Sequence, residues 1–259
     1  DFLLLCMNQL VNMAAKLRYM SSGEHSVPFV VRAAIGRSWG QGAQHSQAFH
    51  SYFMHVPGIK VVAPTTPHDA KGCLIASIRD NNPVVFVEHR MLYSNTGYVP
   101  NNLYEVEFGK GRVLIEGTDI TLVGVSYTVT DCIRAAEALK KIGISAEVID
   151  PVSLSPIDYD LIRKSANKTK KVLVVDNGWL TCGFSSEIIA DLGINCSNLK
   201  LDRMGYLESP CPTTRVLEDG FYPDPEGVAI KANIMCNGEK NWKPEKISRE
   251  EINSFKGPF

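Results

Sequence analysis

The chain has 259 residues, is 44% hydrophobic and 21% charged, and carries a formal net charge of −1. It is therefore long enough to bury the cores of two domains, and its near-zero charge argues against nucleic acid or an anionic membrane as a partner. No run approaches the ~18 apolar residues that a membrane-spanning helix needs. The seven cysteines form no CxxC pair, which favours free thiols in a reducing compartment over a disulfide framework or a zinc site.

An amphipathic helix is predicted at residues 2–19. Its apolar residues recur at alternating spacings of four and three, which places them on one face that we expect to be buried: Leu3, Met7, Leu10, Ala14 and Leu17. Strands are then expected at 27–33, 60–63 and 84–87, and helices at 45–54 and 66–78. Thr66 followed by Pro67 and Asp69 is typical of a helix N-terminus, with a capping side chain and a first-turn proline.

Residues 94–107 lack periodicity and contain Gly97, Pro100 and an asparagine pair, which indicates a domain boundary. Beyond it, strands are expected at 120–124, 146–149, 172–176 and 199–201, and helices at 129–142, 157–164, 185–192, 213–217 and 228–235. Such alternation predicts an α/β protein with parallel, doubly wound sheets and right-handed crossovers. We expect two such mainly parallel domains, at 1–100 and 101–236, and a tail at 237–259 that is peripheral or partly disordered.

A glycine-rich run at residues 40–47, with the sequence GQGAQHSQ, delivers a histidine to what is predicted to be a helix start. Glycines let the backbone approach a ligand and adopt positive φ. Imidazole is the side chain whose ordinary pKa lies nearest physiological pH. The run therefore predicts a proton-transfer group at His45. Alternatively, His45 is a solvated or capping residue and the glycines belong to an ordinary turn.

The segment 27–93 resembles the β subunit of the thiamine-diphosphate-dependent 2-oxoacid dehydrogenase E1 component. The resemblance rests on AQHSQ at 43–47, the pattern PG-K-V at 57–61, DAKG at 69–72 and RDNNPV at 79–84, and it extends over nearly the whole chain. It implies a transketolase-like pyrimidine-binding domain followed by a transketolase C-terminal-like domain. It does not identify the substrate.

The resemblance also implies roles for individual residues. His45 matches the family's active-site histidine, which lies beside the reacting carbon, interacts with the oxoacid carboxylate, relays protons and helps the acyl group pass to a lipoyl arm. Phe2 matches the aromatic residue that stacks on the pyrimidine ring of thiamine diphosphate; alternatively, it is a core residue at a helix start. Arg32 and Arg37 are cationic neighbours that attract the substrate carboxylate or, alternatively, form surface ion pairs.

A cation site is implied where the helix at 66–78 turns into the next strand. Carbonyl groups at a helix C-terminus point outward and can bind a cation. In the family this turn holds a monovalent ion such as potassium, together with a carbonyl from a neighbouring strand. The matching residues are Phe29, Ser77, Asp80 and Asn82. Alternatively, the asparagines only cap the helix.

Two elements of the family pattern are not matched. The glutamate that activates the pyrimidine precedes the ring-stacking aromatic in the family, and neither Glu24 nor Glu88 corresponds to it. The diphosphate motif, GDG followed at about thirty residues by NN, is only mimicked by residues 40–42 and 81–82, because Gln41 replaces the metal-binding aspartate and the spacing is too long. The resemblance thus implies that an α subunit holds Mg²⁺ and the diphosphate.

We therefore predict an E1 β-type subunit that works with an α subunit in an α₂β₂ assembly with a β–β contact. It would decarboxylate a 2-oxoacid at thiamine diphosphate and pass the acyl group to a lipoyl-bearing E2 enzyme. Two alternatives stay open: a split transketolase- or synthase-like enzyme of a biosynthetic pathway, and a non-catalytic partner subunit. We expect a cytoplasmic protein, with the mitochondrial matrix as the alternative, and no nucleic acid or membrane partner.

Overall fold

The computed structural model describes residues 2–37 and 40–254. Within these ranges the strands are β1 (Val30–Ile35), β2 (Lys60–Val62), β3 (Val84–His89), β4 (Arg112–Ile115), β5 (Ile120–Gly124), β6 (Ala146–Asp150), β7 (Ser153–Ser155), β8 (Lys171–Trp179) and β9 (Lys200–Tyr206). The α-helices are α1 (Ala15–Met20), α2 (His50–Met54), α3 (Pro67–Arg79), α4 (Tyr127–Lys140), α5 (Tyr159–Thr169), α6 (Phe184–Asn195), α7 (Arg215–Glu218), α8 (Pro225–Met235) and α9 (Glu250–Ser254). No helix in this described part of the chain is both long and apolar enough to cross a bilayer.

The strands form two sheets, with the orders β1-β3-β2-β7 and β4-β6-β5-β8-β9. All pairs in the first sheet are parallel except β2 with β7, and all pairs in the second are parallel except β4 with β6. The prediction of two mainly parallel α/β sheets is therefore confirmed. The apolar run 84–87 lies in strand β3, which is flanked by β1 and β2. All four residues of the run are buried, as expected for a strand covered on both faces.

One hydrophobic cluster connects the two sheets. Leu10, Phe53 and Val85 from the first half of the chain belong to the same buried cluster as Val174 and Phe184 from the second half. The chain is also interlaced, because β7 follows β6 in sequence but pairs with β2 in the first sheet. The loops at the carboxyl end of the first sheet are consequently held by residues from both halves of the protein.

The N-terminal segment is helical, but it is not a uniform α-helix. A 3₁₀ segment (Phe2–Cys6) and a π-helical segment (Asn8–Ala14) precede α1. The expected burial of one complete apolar face is wrong: Leu10 is 3% exposed, whereas Leu17 is 40% exposed. The change of helical pitch rotates successive turns relative to one another, so that the buried line continues from Leu10 to Ala15 and leaves Leu17 on the surface.

Helix α3 begins as its sequence predicts. Thr66 has extended backbone geometry, and its hydroxyl accepts a hydrogen bond from the backbone N–H of Asp69 at 3.0 Å. Pro67 occupies the first helical position, where no N–H donor is needed. Residues 94–107 contain neither helix nor strand.

The C-terminal tail is docked along the second sheet's helices. Trp242 packs against the hydrophobic cluster between α4 and α8. The backbone N–H of Ile247 donates a 2.8 Å hydrogen bond to Glu226 in the first turn of α8. Helix α9 then brings Ile252, 8% exposed, into a cluster with Met91 of the first half of the chain. Residues 237–254 thus cross from one half of the protein to the other; residues 255–259 lie outside the described part.

Candidate functional site

His45 lies on a turn at the carboxyl end of β1. The turn spans residues 43–45, and the backbone N–H of His45 is 3.4 Å from the carbonyl oxygen of Gly42. The prediction that a helix starts near His45 is wrong, because α2 begins at His50. The carbonyls of Ser46 and Gln47, which helical hydrogen bonds would use, instead accept bonds from the Tyr222 hydroxyl and the Gly36 N–H.

Both glycines of the run are required by its backbone. Gly40 and Gly42 have φ values of +89° and +71°, a region that side chains strongly disfavour. A Cβ atom at Gly42 would lie 2.5 Å from Oγ1 of Thr213, and one at Gly40 would lie 2.9 Å from the carbonyl oxygen of the same threonine. The glycines thus allow the turn that carries His45 to pack directly on the second half of the chain.

The structure brings two of the sequence-predicted residues together. The rings of Phe2 and His45 have centroids 5.3 Å apart and are tilted by 38°. Phe2 is 71% exposed, which excludes the alternative of a buried core phenylalanine. An exposed aromatic face beside a partly exposed imidazole can stack on a planar ring and present a proton donor or acceptor next to it.

A buried contact between a histidine and an aspartate holds the residues after the turn. His50 Nε2 at the start of α2 lies 3.2 Å from Oδ1 of Asp176, and both side chains are fully buried. The other carboxylate oxygen of Asp176 accepts a 2.8 Å hydrogen bond from the backbone N–H of Ser185, in the first turn of α6. The N-terminal end of a helix stabilises negative charge, so α6 supports the Asp176 carboxylate.

Arg32 and Arg37 are both engaged with carboxylates of the protein. Arg37 is 3% exposed and pairs with Glu218, which is also buried, and with Asp219, which is half exposed, so the Arg37 charge itself is not on the surface. Arg32 is on the surface, and its Nη2 atom lies 2.7 and 3.0 Å from the two carboxylate oxygens of Glu88. The structure therefore assigns Arg37 to holding the segment before the glycine run, and Arg32 to an exposed ion pair with β3.

The predicted cation turn lies where α3 meets β1 and β3. The carbonyls of Phe29 and Ser77 accept backbone hydrogen bonds at 3.1 and 3.3 Å, which leaves each oxygen a second lone pair. The Asp80 carboxylate binds Lys60 and accepts a 2.8 Å bond from the Asn82 backbone N–H. Burial alone would raise the pKa of Asp80, but these hydrogen bonds hold it below its ordinary value. A cation here would use carbonyl oxygens beside a carboxylate already paired with lysine.

Side-chain ligands for a metal are not clustered in the described part of the chain. Within residues 2–37 and 40–254, no group of three or more histidine, cysteine, aspartate or glutamate side chains could hold a metal ion. All seven cysteines are free.

Sequence reasoning missed the residues that fix the turn, namely His50, Asp176 and Tyr222. Asp176 carries a usable signal, because it follows an apolar strand and polar side chains at the carboxyl ends of parallel strands often serve a site. Tyr222 carries none, since it lies 176 residues away from its partner Ser46 along the chain.

Comparison with known families matches both halves of the chain. Residues 1–96 match the model "Transketolase, pyrimidine binding domain" and residues 109–228 match "Transketolase, C-terminal domain". Among solved structures, a split gene transketolase described as an inactive beta4 tetramer covers 88% of this chain and 74% of its own, with a TM-score of 0.68. Its identity to this chain is 21%, so the likeness shows the fold alone.

Curated relatives are more similar in sequence. The acetoin:2,6-dichlorophenolindophenol oxidoreductase subunit beta of Bacillus subtilis is 39% identical over 242 residues, covering 92% of this chain and 70% of the relative. The mitochondrial pyruvate dehydrogenase E1 component subunit beta of Caenorhabditis elegans is 39% identical over 244 residues, covering 90% and 69%. The corresponding subunit of Bos taurus is 36% identical over 244 residues, covering 90% and 68%.

Proposed function

Because this chain belongs to the β subunits of thiamine-diphosphate-dependent 2-oxoacid dehydrogenase E1 components, we propose that, together with an α subunit, it decarboxylates a 2-oxoacid or cleaves the carbon–carbon bond of an analogous donor such as acetoin. The observation that carries the proposal is the contact between Phe2, in the N-terminal 3₁₀ segment, and His45, on a turn at the carboxyl end of β1; their ring centroids are 5.3 Å apart. Ligands of open α/β sheets bind at the carboxyl ends of their strands.

Thiamine diphosphate fits the residues present on this face. When bound, it would supply the nucleophilic carbon that attacks the donor carbonyl, so that CO₂ leaves from a 2-oxoacid or an aldehyde leaves from acetoin. Phe2 offers an exposed ring face, 71% accessible, on which an aminopyrimidine can stack. His45, beside that ring, would interact with the donor carboxylate and move protons, a role for which imidazole is suited near neutral pH.

A partner subunit would complete the site. We place Mg²⁺ and the diphosphate mainly on an α subunit, within an α₂β₂ assembly that also contains a β–β contact. The N-terminal helical segment supports an interface, because Met13, Leu17 and Met20, 40–63% exposed, line one apolar groove together with Phe29. Large exposed apolar patches mark surfaces that bind other proteins. The acyl acceptor would be the lipoyl arm of an E2 enzyme.

The decisive experiment is reconstitution with an α-type subunit, followed by assays of pyruvate, branched-chain 2-oxoacids and acetoin with an artificial electron acceptor. Turnover of at least one donor, dependent on both subunits and on thiamine diphosphate, supports the proposal. A complex that binds the cofactor but turns over none of these donors contradicts it.

Calorimetry tests the division of the cofactor site between subunits. The isolated chain should bind thiamine diphosphate and Mg²⁺ only weakly, whereas the reconstituted complex should bind them tightly. Micromolar binding by the chain alone would show that the diphosphate site is on this subunit.

We also propose that the carbonyls near Phe29, Ser77, Asp80 and Asn82 bind a monovalent cation such as potassium. The carbonyl of Ser77 lies in the last turn of α3, where the helix dipole is negative. Potassium chloride should raise the unfolding temperature more than choline chloride at equal ionic strength. Equal temperatures in the two salts would refute the cation site.

For location we propose the cytoplasm, with the mitochondrial matrix as the alternative. Seven free thiols fit either reducing compartment. Cell fractionation with compartment markers distinguishes the two, and recovery in an oxidising compartment would contradict both.

A further inference from the structure

We infer that Tyr222 is a positioning residue for His45, whose hydroxyl fixes the turn that carries the imidazole. This inference rests on the proposed function, because it assigns Tyr222 a role through His45. Tyr222 donates a 2.9 Å hydrogen bond to the backbone carbonyl of Ser46, the residue that follows His45. The bond joins a loop of the C-terminal half to the turn of the N-terminal half.

The hydroxyl of Tyr222 is a fixed donor. Burial raises the pKa of Tyr222 far above its ordinary value, so that the hydroxyl keeps its proton at physiological pH. The thiol sulfur of Cys211 lies 3.4 Å from the same oxygen. The tyrosine proton points to Ser46, so the sulfur lies on the other side of the tyrosine oxygen; the thiol proton can go to that oxygen or to the Pro212 carbonyl, 3.6 Å away. The Ser46 carbonyl therefore sets the direction of the O–H bond, and Cys211 packs against the opposite side of the oxygen.

The ring of Tyr222 is held as firmly as its hydroxyl. The Arg37 guanidinium lies 5.4 Å from the ring centroid, and Arg37 is itself paired with Glu218 and Asp219. The rings of Tyr206 and Phe221 each make edge contacts with it, both at 4.9 Å. Because its ring is held by a packed aromatic cluster, Tyr222 keeps its hydroxyl in a fixed position relative to the Ser46 carbonyl.

Loss of the hydroxyl should release the turn. Ser46 is fully buried, and its carbonyl would lose the donor that Tyr222 supplies from the C-terminal half. Because His45 is bonded directly to Ser46, a rotation of this peptide reorients the imidazole. A small misplacement of a catalytic group suffices to slow chemistry while leaving the binding of cofactor and donor nearly unchanged.

The test compares Tyr222→Phe with the matched control Tyr206→Phe in the reconstituted complex. Tyr206 belongs to the same aromatic cluster, and its hydroxyl donates a 3.1 Å bond to Asn177, not to the turn. Tyr222→Phe should lower kcat about 10- to 100-fold with little change in KM, whereas Tyr206→Phe should retain kcat within about twofold.

A readout independent of turnover is the rate at which diethyl pyrocarbonate modifies His45, followed by peptide mass spectrometry with His25 as internal reference. Tyr222→Phe should raise this rate at least threefold, and Tyr206→Phe should leave it unchanged. Equal effects of the two variants on modification and on kcat, or no effect of Tyr222→Phe, would overturn the inference.

If Tyr222→Phe does not fold, Cys211→Ala serves instead, because it keeps the tyrosine but removes the thiol that packs against its hydroxyl. It should change the modification rate in the same direction by a smaller factor, and an unchanged rate would overturn the inference. His45→Ala distinguishes the catalytic role of His45 from the positioning role of Tyr222. Full turnover in His45→Ala refutes the catalytic role of His45, whereas loss of turnover there combined with wild-type behaviour of Tyr222→Phe refutes only the positioning role.

Discussion

Glu251 accepts hydrogen bonds from both terminal nitrogens of Arg134, at 2.7 and 3.0 Å. The pair joins α9 to α4, and Tyr127 donates a third bond of 2.6 Å to the same carboxylate. The Tyr127 ring in turn stacks on His89 of β3, with centroids 4.8 Å apart. Through Glu251 the tail therefore binds Tyr127, a residue that also contacts the first half of the protein.

Glu251→Gln should lower the free energy of unfolding by about 1–3 kcal/mol, the usual scale for a hydrogen bond to a charged group. The glutamine keeps the shape of the side chain but removes its charge. Glu245→Gln is the matched control on the same tail, since its pair with Lys141 is 70–89% exposed and should contribute less than about 0.5 kcal/mol. Urea unfolding measures both, and equal effects would show that the bidentate geometry does not matter.

Asp131→Asn should remove a pH dependence of stability. Burial raises the pKa of Asp131 from 3.8 to about 8, although Arg249 and Arg134 oppose the shift. The folded chain then holds this proton over a pH range in which the unfolded chain has released it. Stability contributed by the protonated group is full below pH 3.8 and is lost as pH rises towards about 8.

The asparagine variant should therefore gain stability relative to the wild type as pH increases from 5 to 8. Urea unfolding of both proteins across this range is the measurement. A difference between them that does not vary with pH would show that Asp131 is already ionised in the folded protein.

His45→Ala in the reconstituted complex should lower turnover about 10²–10⁴-fold, the scale expected for loss of a positioned acid or base. Cofactor affinity should change little, because the diphosphate is held elsewhere in the proposed site. Steady-state kinetics and calorimetry on the same preparation provide the two numbers. Wild-type turnover would remove His45 from the mechanism.

Gly42→Ala should be more destabilising than Gly143→Ala. Both glycines have positive φ, +71° and +80°, so both variants suffer the same backbone penalty of about 1 kcal/mol or more. Only at Gly42 would the new Cβ meet another residue, at 2.5 Å from Thr213 Oγ1; nothing lies within 4 Å at Gly143. The comparison therefore separates the cost of the steric contact with Thr213 from the cost of the positive φ.

A second substitution tests the identity of the clashing atom. Thr213→Ala, combined with Gly42→Ala, should recover part of the lost unfolding temperature, because it removes the hydroxyl that the new methyl group meets. If the double variant is no more stable than Gly42→Ala alone, the contact with Thr213 is not the cause.

Local signals made much of this fold predictable. Thr66, Pro67 and Asp69 specify the start of α3 by interactions within one turn, and the apolar run of β3 reflects burial on both faces. His45 could be singled out because two glycines and an imidazole form a recognisable local pattern. Each of these features depends on residues that are neighbours in sequence.

Features that depend on contacts between residues far apart in sequence could not be predicted in this way. The helix expected at His45 does not form, because Tyr222 claims the Ser46 carbonyl from 176 residues away. The pairing of Ser153–Ser155 with β2 could not be read from three residues that carry no alternating pattern. In both cases a local preference yields to a partner that only the folded chain supplies.

Because β7 belongs to the first sheet, that sheet is completed late during synthesis of the chain. The edge of β2 can be covered only after Ser155 has left the ribosome, although the other three strands of that sheet end at His89. During the interval the nascent chain presents an unpaired strand edge, which is the kind of surface that recruits chaperones or other copies of the chain. The first sheet therefore cannot be completed on the ribosome until more than sixty further residues, from His89 to Ser155, have been translated.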